Sequence, residues 1–274
     1  MIHLRMCGGL GNQLFQLSTA LKLRQSIASN QSILINFAGE KYAANRVLAF
    51  EPLFEIPSWL LFEPVSLRDQ LLKYSSVHLR VGRYTWNAYN DVFRFIPFPS
   101  SDIFLDGYFW RKFDKPSANS FFPQLNLQSL KFDRSWLRFL RNTVAVHIRG
   151  GDFISHQKFN VCGYQYYKEA ISIAIAKGFD DFIIVSDDQK HAAMLMNQIL
   201  DEMPRITYQF LPSSSPLSDF NFLRQMPCKI LSNSTYSWWS SALSIAPKIT
   251  IVPSHLALGL QRPRQLHEDI IYLY

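Results

Sequence analysis

Cysteine is scarce in this chain and occurs in no metal-binding spacing. Cys7, Cys162 and Cys228 are three among 274 residues; odd in number and far apart, they exclude a disulfide framework and a C-x-x-C metal site, and they fit a reducing compartment. No D-x-D occurs, so nothing suggests a carboxylate pair chelating a divalent metal between diphosphate oxygens. G-x-G-x-x-G and the P-loop are both missing, which removes the two commonest glycine-rich nucleotide signatures. No stretch of about 18 apolar residues is present to span a membrane. The N-terminus enters the alternating Ile2-His3-Leu4-Arg5-Met6 directly, with no charged segment and apolar run of a signal peptide. The expectation is a soluble, cytoplasmic protein, compatible with peripheral contact at the inner face of the membrane. A dense basic run is also lacking: Arg80 to Arg83 and Arg262 to Arg264 are thin and read as solvated surface, so nucleic acid is not an expected partner.

The composition is that of a globular chain with a substantial core. Hydrophobic residues make up 48% and aromatic residues 15%, and a length near twice ~150 suggests two domains. A net charge of +7 favours an anionic partner, which phosphates of a nucleotide would satisfy.

The pattern opens with a strand over Ile2 to Met6, a glycine joint at Cys7-Gly8-Gly9-Leu10-Gly11-Asn12-Gln13, and a helix through Leu14, Leu17 and Leu21. From Asn36 to Pro99 no order of elements emerges. Asp102 to Tyr108 reads as strand and turn, and Leu125 to Leu140 has helical spacing. A boundary falls near 137 to 142, giving domains 1–137 and 138–274. Beyond it strands and helices alternate: strand Thr143 to His147, helix Tyr164 to Lys177, strand Phe182 to Val185, helix Gln189 to Leu200, strand Ile206 to Leu211. Helix Leu217 to Gln225, strand Lys229 to Leu231, helix Ser234 to Ala246 and strand Ile249 to Val252 complete the series. Such alternation indicates a parallel sheet with right-handed crossovers, a Rossmann-like half.

Three motifs sit where strands end. His147-Ile148-Arg149-Gly150-Gly151-Asp152 puts an arginine just past an apolar strand; its planar donor fork matches phosphate oxygens, although pairing with Asp152 is the plainer alternative. Ser186-Asp187-Asp188 places two carboxylates at another strand end, where one could accept from a base or ribose and one is better read as a helix N-cap. Ser232-Asn233-Ser234-Thr235 concentrates hydroxyls at a helix start, suited both to capping and to a diphosphate. The glycine turn over Gly8 to Gln13 is by itself a tight βα joint as readily as a ligand loop.

Taken in order, these pieces resemble the bacterial α-1,2-fucosyltransferase family. The likeness runs from Gly8 to Gln13 with Phe15-Gln16, through Gly107-Tyr108-Phe109, His147-Ile148-Arg149 with Asp152, Tyr166-Tyr167-Lys168 and Ser186-Asp187-Asp188, to Asp219, Leu223, Met226, Cys228, Lys229 and Ser232 to Trp239. It implies an α/β, GT-B-like architecture of two Rossmann-like domains facing a cleft: an acceptor-side N-terminal domain and a GDP-fucose-binding C-terminal one. It also implies inverting, metal-independent transfer of fucose from GDP-fucose to the 2-hydroxyl of a terminal β-galactoside, with no cofactor beyond the donor substrate. The acceptor would be a galactose-terminated oligosaccharide or a lipid-linked glycan.

By position, Arg149 would hold the β-phosphate and act in catalysis. His147 and one of Asp187 and Asp188 would approach the guanine, Ser234 and Thr235 would meet the diphosphate, Gly11 and Asn12 would line the cleft, and Asp152 would support the site. Asp106 and Glu40 are the carboxylates considered for the base. The family usually reads His-x-Arg-Arg-Gly-Asp, and Gly150 here replaces the second arginine. The expectation is that the missing side chain braces the loop, its gap filled by Lys158 or by glycine freedom. Two other readings stay open: a glycosyltransferase using another purine sugar nucleotide, and a non-catalytic module binding GDP or polyanions.

Overall fold

A computed structural model describes residues 1–27, 30–37, 49–64, 103–106, 108–109, 142–212, 215–244, 247–261 and 270–274. The chain divides into two compact units, Met1–Ser129 and Leu130–Tyr274. The boundary expected at 137 lies outside the described residues, as does the helix expected over Leu125 to Leu140.

In the first unit, β1 (Ile2–Met6) leads through the glycine turn into α1 (Leu10–Ile27), followed by β2 (Ile33–Phe37), a 3-10 turn at Glu51–Leu53, β3 (Leu60–Pro64) and β4 (Ile103–Asp106). The sheet order is β3-β2-β1-β4, parallel at every junction. Alternate apolar positions of β1 (Ile2, Leu4, Met6) are buried, as are Leu14, Phe15, Leu17 and Leu21 of α1. That is the period of two for a strand handing over to a helical stripe. β3 and the 3-10 turn fall inside the region from Asn36 to Pro99, where the sequence pattern defines no order of elements.

The second unit begins with β5 (Thr143–Ile148), α2 (Asp152–Ser155), α3 (Tyr164–Ala176), β6 (Asp181–Ser186), α4 (Gln189–Glu202) and β7 (Thr207–Phe210). It continues with α5 (Pro216–Gln225), β8 (Cys228–Ile230), α6 (Thr235–Ala242), β9 (Ile249–Pro253), the short β10 (His255–Ala257) and β11 (Leu260–Gln261), and β12 (Ile270–Leu273). Its six-stranded sheet runs β12-β9-β8-β5-β6-β7 and is parallel throughout. The chain starts in the middle at β5, winds outward to β7, then returns to the other side of β5 with β8. This is the doubly wound order of a Rossmann sheet. The antiparallel β10–β11 pair and β12 are additions to the sequence reading. The last helix is shorter than expected, ending at Ala242 with Leu243 as its C-cap.

β5 shows why the sheet is two-sided. Val144, Val146 and Ile148 pack with Phe182 and Ile184 against Tyr167, Ala170 and Ile171 of α3 and Leu195, Met196 and Ile199 of α4. Ala145, between them, packs on the opposite face with Ile183, Val185, Phe222, Leu223 and Met226. His147 shares the parity of Ala145, so β5 carries this buried polar side chain toward α5 and α6.

Candidate functional site

The carboxyl ends of β5 and β8 are neighbours, with Ala145 opposite Lys229 and Val146 opposite Ile230. The chain leaves β5 toward one edge of the sheet and leaves β8 toward the other, which opens a crevice at the point of reversal, the place where ligands bind in sheets of this kind. His147 and Arg149 come from β5, the run Ser232 to Thr235 from β8, and Asp187 and Asp188 from β6, whose Ser186 pairs with Ile148. The structure thus gathers six of the candidate residues into one unit at one end of one sheet. Gly11 and Asn12 belong to the other unit.

The loop after β5 is held by the two aspartates after β6. One oxygen of Asp187 accepts from Arg149 Nη1, and the other accepts the Gly150 N–H at 2.9 Å. The Arg149 guanidinium also lies over the Phe153 ring, 5.2 Å from its centroid, a cation–π contact. Asp188 caps α4 by accepting the His191 N–H at 3.0 Å. That bond, joined by the N–H of Gly151 and opposed by desolvation, holds its carboxyl below the usual range. Arg149 thus pairs with Asp187, and of the two aspartates Asp188 is the N-cap; the side chain of Asp152 lies outside what the structure describes.

Gly150 is buried, and a β-carbon there would lie 2.4 Å from Asp188 Cβ. The three atoms nearest that β-carbon all belong to Asp188, so Asp188 stands where the first carbon of a side chain at 150 would lie. Gly151 follows with φ 54° and ψ −123°, a conformation closed to side-chain-bearing residues. Asp152 begins α2.

Across the crevice, His147 is buried and its Nδ1 meets the hydroxyls of Ser237 and, at 2.9 Å, Ser232. Ser232 and Ser237 bond each other at 3.0 Å. Ser234 caps α6, its Oγ accepting the Ser237 N–H at 3.0 Å, and Thr235 is the first residue of that helix. The positive end of α6 thus points out of the β8 loop beside His147, an arrangement suited to an anion. Asn233 fastens the loop from behind by donating to Phe159 O and Leu256 O, each at 2.8 Å. Tyr167 donates to His147 O at 3.0 Å. Sequence reasoning assigned no role to Ser232, Asn233, Ser237 or Tyr167 individually; the clustering of hydroxyls in Ser232 to Ser237 was the available signal.

Lys229 is an unexpected charge in the core. It is fully buried, donating to Leu223 O at 3.0 Å and Ser244 Oγ at 2.7 Å, and desolvation lowers its pKa to about 7.

In the N-terminal unit, Gly8 has φ 79° and two buried glutamines fix the turn. Gln13 donates to Gly8 O at 3.0 Å and accepts the Ala49 N–H at 2.8 Å; Gln16 accepts the Cys7 N–H at 3.1 Å. Gly11 and Asn12 form the first turn of α1. Of the carboxylates considered for the base, Asp106 ends β4 and Glu40 lies outside the described residues.

Residues 1–259 match glycosyl transferase family 11. The alpha-1,2-colitosyltransferase of Escherichia coli is 23% identical over an alignment of 273 residues that covers 91% of this chain and 90% of that one. The O-antigen biosynthesis glycosyltransferase WbnK of Escherichia coli is 34% identical over 140 residues, 48% of this chain and 45% of that protein. Among solved structures, the fucosyltransferase NodZ from Bradyrhizobium aligns with a TM-score of 0.50 at 15% identity, covering 87% of this chain and 91% of that one. POFUT1 in complex with GDP aligns at 0.51 and 13%, covering 92% and 96%. The last two likenesses concern the fold, which is GT-B-like: two α/β units, each built on a parallel sheet.

Proposed function

The chain belongs to glycosyl transferase family 11, and from that premise we propose that it transfers fucose from GDP-fucose to the 2-hydroxyl of a terminal β-galactoside, with inversion and without a metal. The observation that supports this reading is that Arg149 follows β5 and the α6 N-terminus follows the adjacent β8, both at the reversal point of the Rossmann sheet. In the reaction the bond from the fucosyl anomeric carbon to the β-phosphate oxygen breaks, and negative charge develops on the departing GDP. The acceptor oxygen bonds to that carbon from the opposite face and its proton passes to solvent water. Arg149 and the backbone donors at Ser234 and Thr235 stabilise the charge, and one such preorganised donor is worth about 2.7–4 kcal/mol of barrier. His147 and an aspartate of the β6 loop face the guanine. Gly11 and Asn12 serve the same reaction from the N-terminal unit, and the acceptor is a galactose-terminated oligosaccharide or lipid-linked glycan.

A second reading follows from the similarity to an alpha-1,2-colitosyltransferase: the same transfer with a colitosyl donor. The test is a screen of terminal β-galactosides with GDP-fucose and with the colitosyl nucleotide, the product linkage being read by NMR. An α-1,2-fucosylated product with stoichiometric GDP supports the first reading, and turnover with the colitosyl donor alone supports the second. Affinity for GDP without turnover on any galactoside would make the protein a binding module. A steep fall of affinity with salt on a nucleic acid, with no GDP binding, would remove both.

A further inference from the structure

We propose that Asp187 is a positioning residue for Arg149: it holds the phosphate-gripping guanidinium in place before the donor arrives, and it is not the carboxylate that recognises guanine. This rests on the GDP-donor reading given above.

Three observations carry it. First, both oxygens of Asp187 are committed to adjacent residues of one loop, the Arg149 side chain and the Gly150 backbone. A carboxylate that grips a side chain and the following N–H fixes the arginine against its own backbone. Second, the rest of the loop leaves it little room to move: Gly150 packs on Asp188 Cβ, Gly151 lies against Asp187 Oδ2, and Phe153 lies beneath the guanidinium. Third, the pairing spans two neighbouring parallel strands, since Ile148 and Ser186 are in register. The clamp is therefore built into the sheet and not into a flexible tip.

Arginine suits this double duty. The group has five N–H donors in a rigid fork, more than one carboxylate oxygen consumes, and its planar fork matches phosphate oxygens. Preorganising a flexible side chain in this way lowers the entropy lost on binding. An aspartate engaged with guanine would instead have to accept from the base edge, which competes with the two bonds Asp187 already makes.

The experiment is calorimetric titration of GDP, and of inosine diphosphate, which lacks the guanine 2-amino group. The proteins are wild type, Asp187→Asn, Arg149→Ala and the double variant, each first checked for cooperative thermal unfolding. Asn is isosteric and can still accept the Gly150 N–H; Asp187→Ser serves as a second probe if Asn unfolds. Asp187→Asn should weaken GDP roughly tenfold or more, with the ratio of GDP to inosine diphosphate affinity unchanged, and should add nothing in the Arg149→Ala background. Loss of the preference for GDP over inosine diphosphate, or a full additional loss in that background, would overturn the proposal in favour of a base contact. Affinity unchanged in Asp187→Asn would overturn it too. Failure of wild type to bind GDP would fall on the donor reading itself, a separate result from any of these.

Discussion

Gly150→Ala is the smallest change that tests how the site is built. The added methyl would sit 2.4 Å from Asp188 Cβ and 3.2 Å from both its Cγ and Oδ2, whereas carbon atoms pack comfortably at about 3.5–4.0 Å. More than 1 Å of separation must be found, and the obstructing atom is a β-carbon fixed to the backbone, not the end of a flexible chain. Either the β5 loop backs away, straining the Gly150 N–H bond to Asp187, or Asp188 shifts and loosens its cap on α4. Overpacking of this kind costs about 1–3 kcal/mol, and a weakened cap adds about 1 kcal/mol. A unit of this size loses about 2–4 °C per kcal/mol, so a fall in the melting temperature of roughly 4–16 °C is expected by calorimetry, with GDP affinity reduced because Arg149 moves with the loop. Gly150→Arg, which restores the usual family residue, meets the same obstruction at its β-carbon and should weaken GDP binding as well. A Gly150→Ala protein with unchanged melting temperature and GDP affinity would refute the reasoning, and so would tightening in Gly150→Arg.

Arg149→Lys should fold normally and lose at least ~100-fold in turnover, because a point charge cannot reproduce the fork on a diphosphate; initial rates of GDP release check it. Turnover should persist in excess EDTA, as expected of a sequence without D-x-D, and abolition with rescue by Mn²⁺ or Mg²⁺ would recast Asp187 and Asp188 as metal ligands. Lys229 should make stability rise with pH. Its folded pKa is about 7 against ~10.4 unfolded, so between those values the unfolded chain binds the extra proton and folding gains as pH increases. Chemical denaturation at pH 7.5 and 9.5 should show this gain in wild type and not in Lys229→Met.

The C-terminal sheet was legible because its strands are short apolar runs separated by helices of clear period, and their ends fell within a few residues of the observed ones. The cap at Asp188 was legible for the same local reason: it closes on an N–H three residues away. The contact of Arg149 with Asp187 was not: Asp187 lies 38 positions on, and only the pairing of β5 with β6 brings the two together. The closing hairpin and β12 went unread because they are short and lie past the last helix, where no strand–helix alternation marks them as β7 and β8 are marked.

The same distinction explains why Gly150 could be noticed in the sequence but not understood there. As a missing arginine it suggests a lost phosphate contact. In the fold, residues 149 and 150 are bonded by Asp187 and residues 150 and 151 lie close against the two aspartates, and this requires the loop to lie against the β6 loop at backbone distance. A β-carbon at 150 is incompatible with that approach. Glycine is therefore what lets the two loops close on each other, and the closure is what gives Arg149 a fixed position. The residue that departs from the family pattern and the residue expected to do the chemistry are linked through Asp187 and Asp188, so the pair should be exchanged together: Gly150→Arg combined with Asp188→Gly should recover more of the melting temperature than either change alone, if contact between these two positions is the whole obstacle.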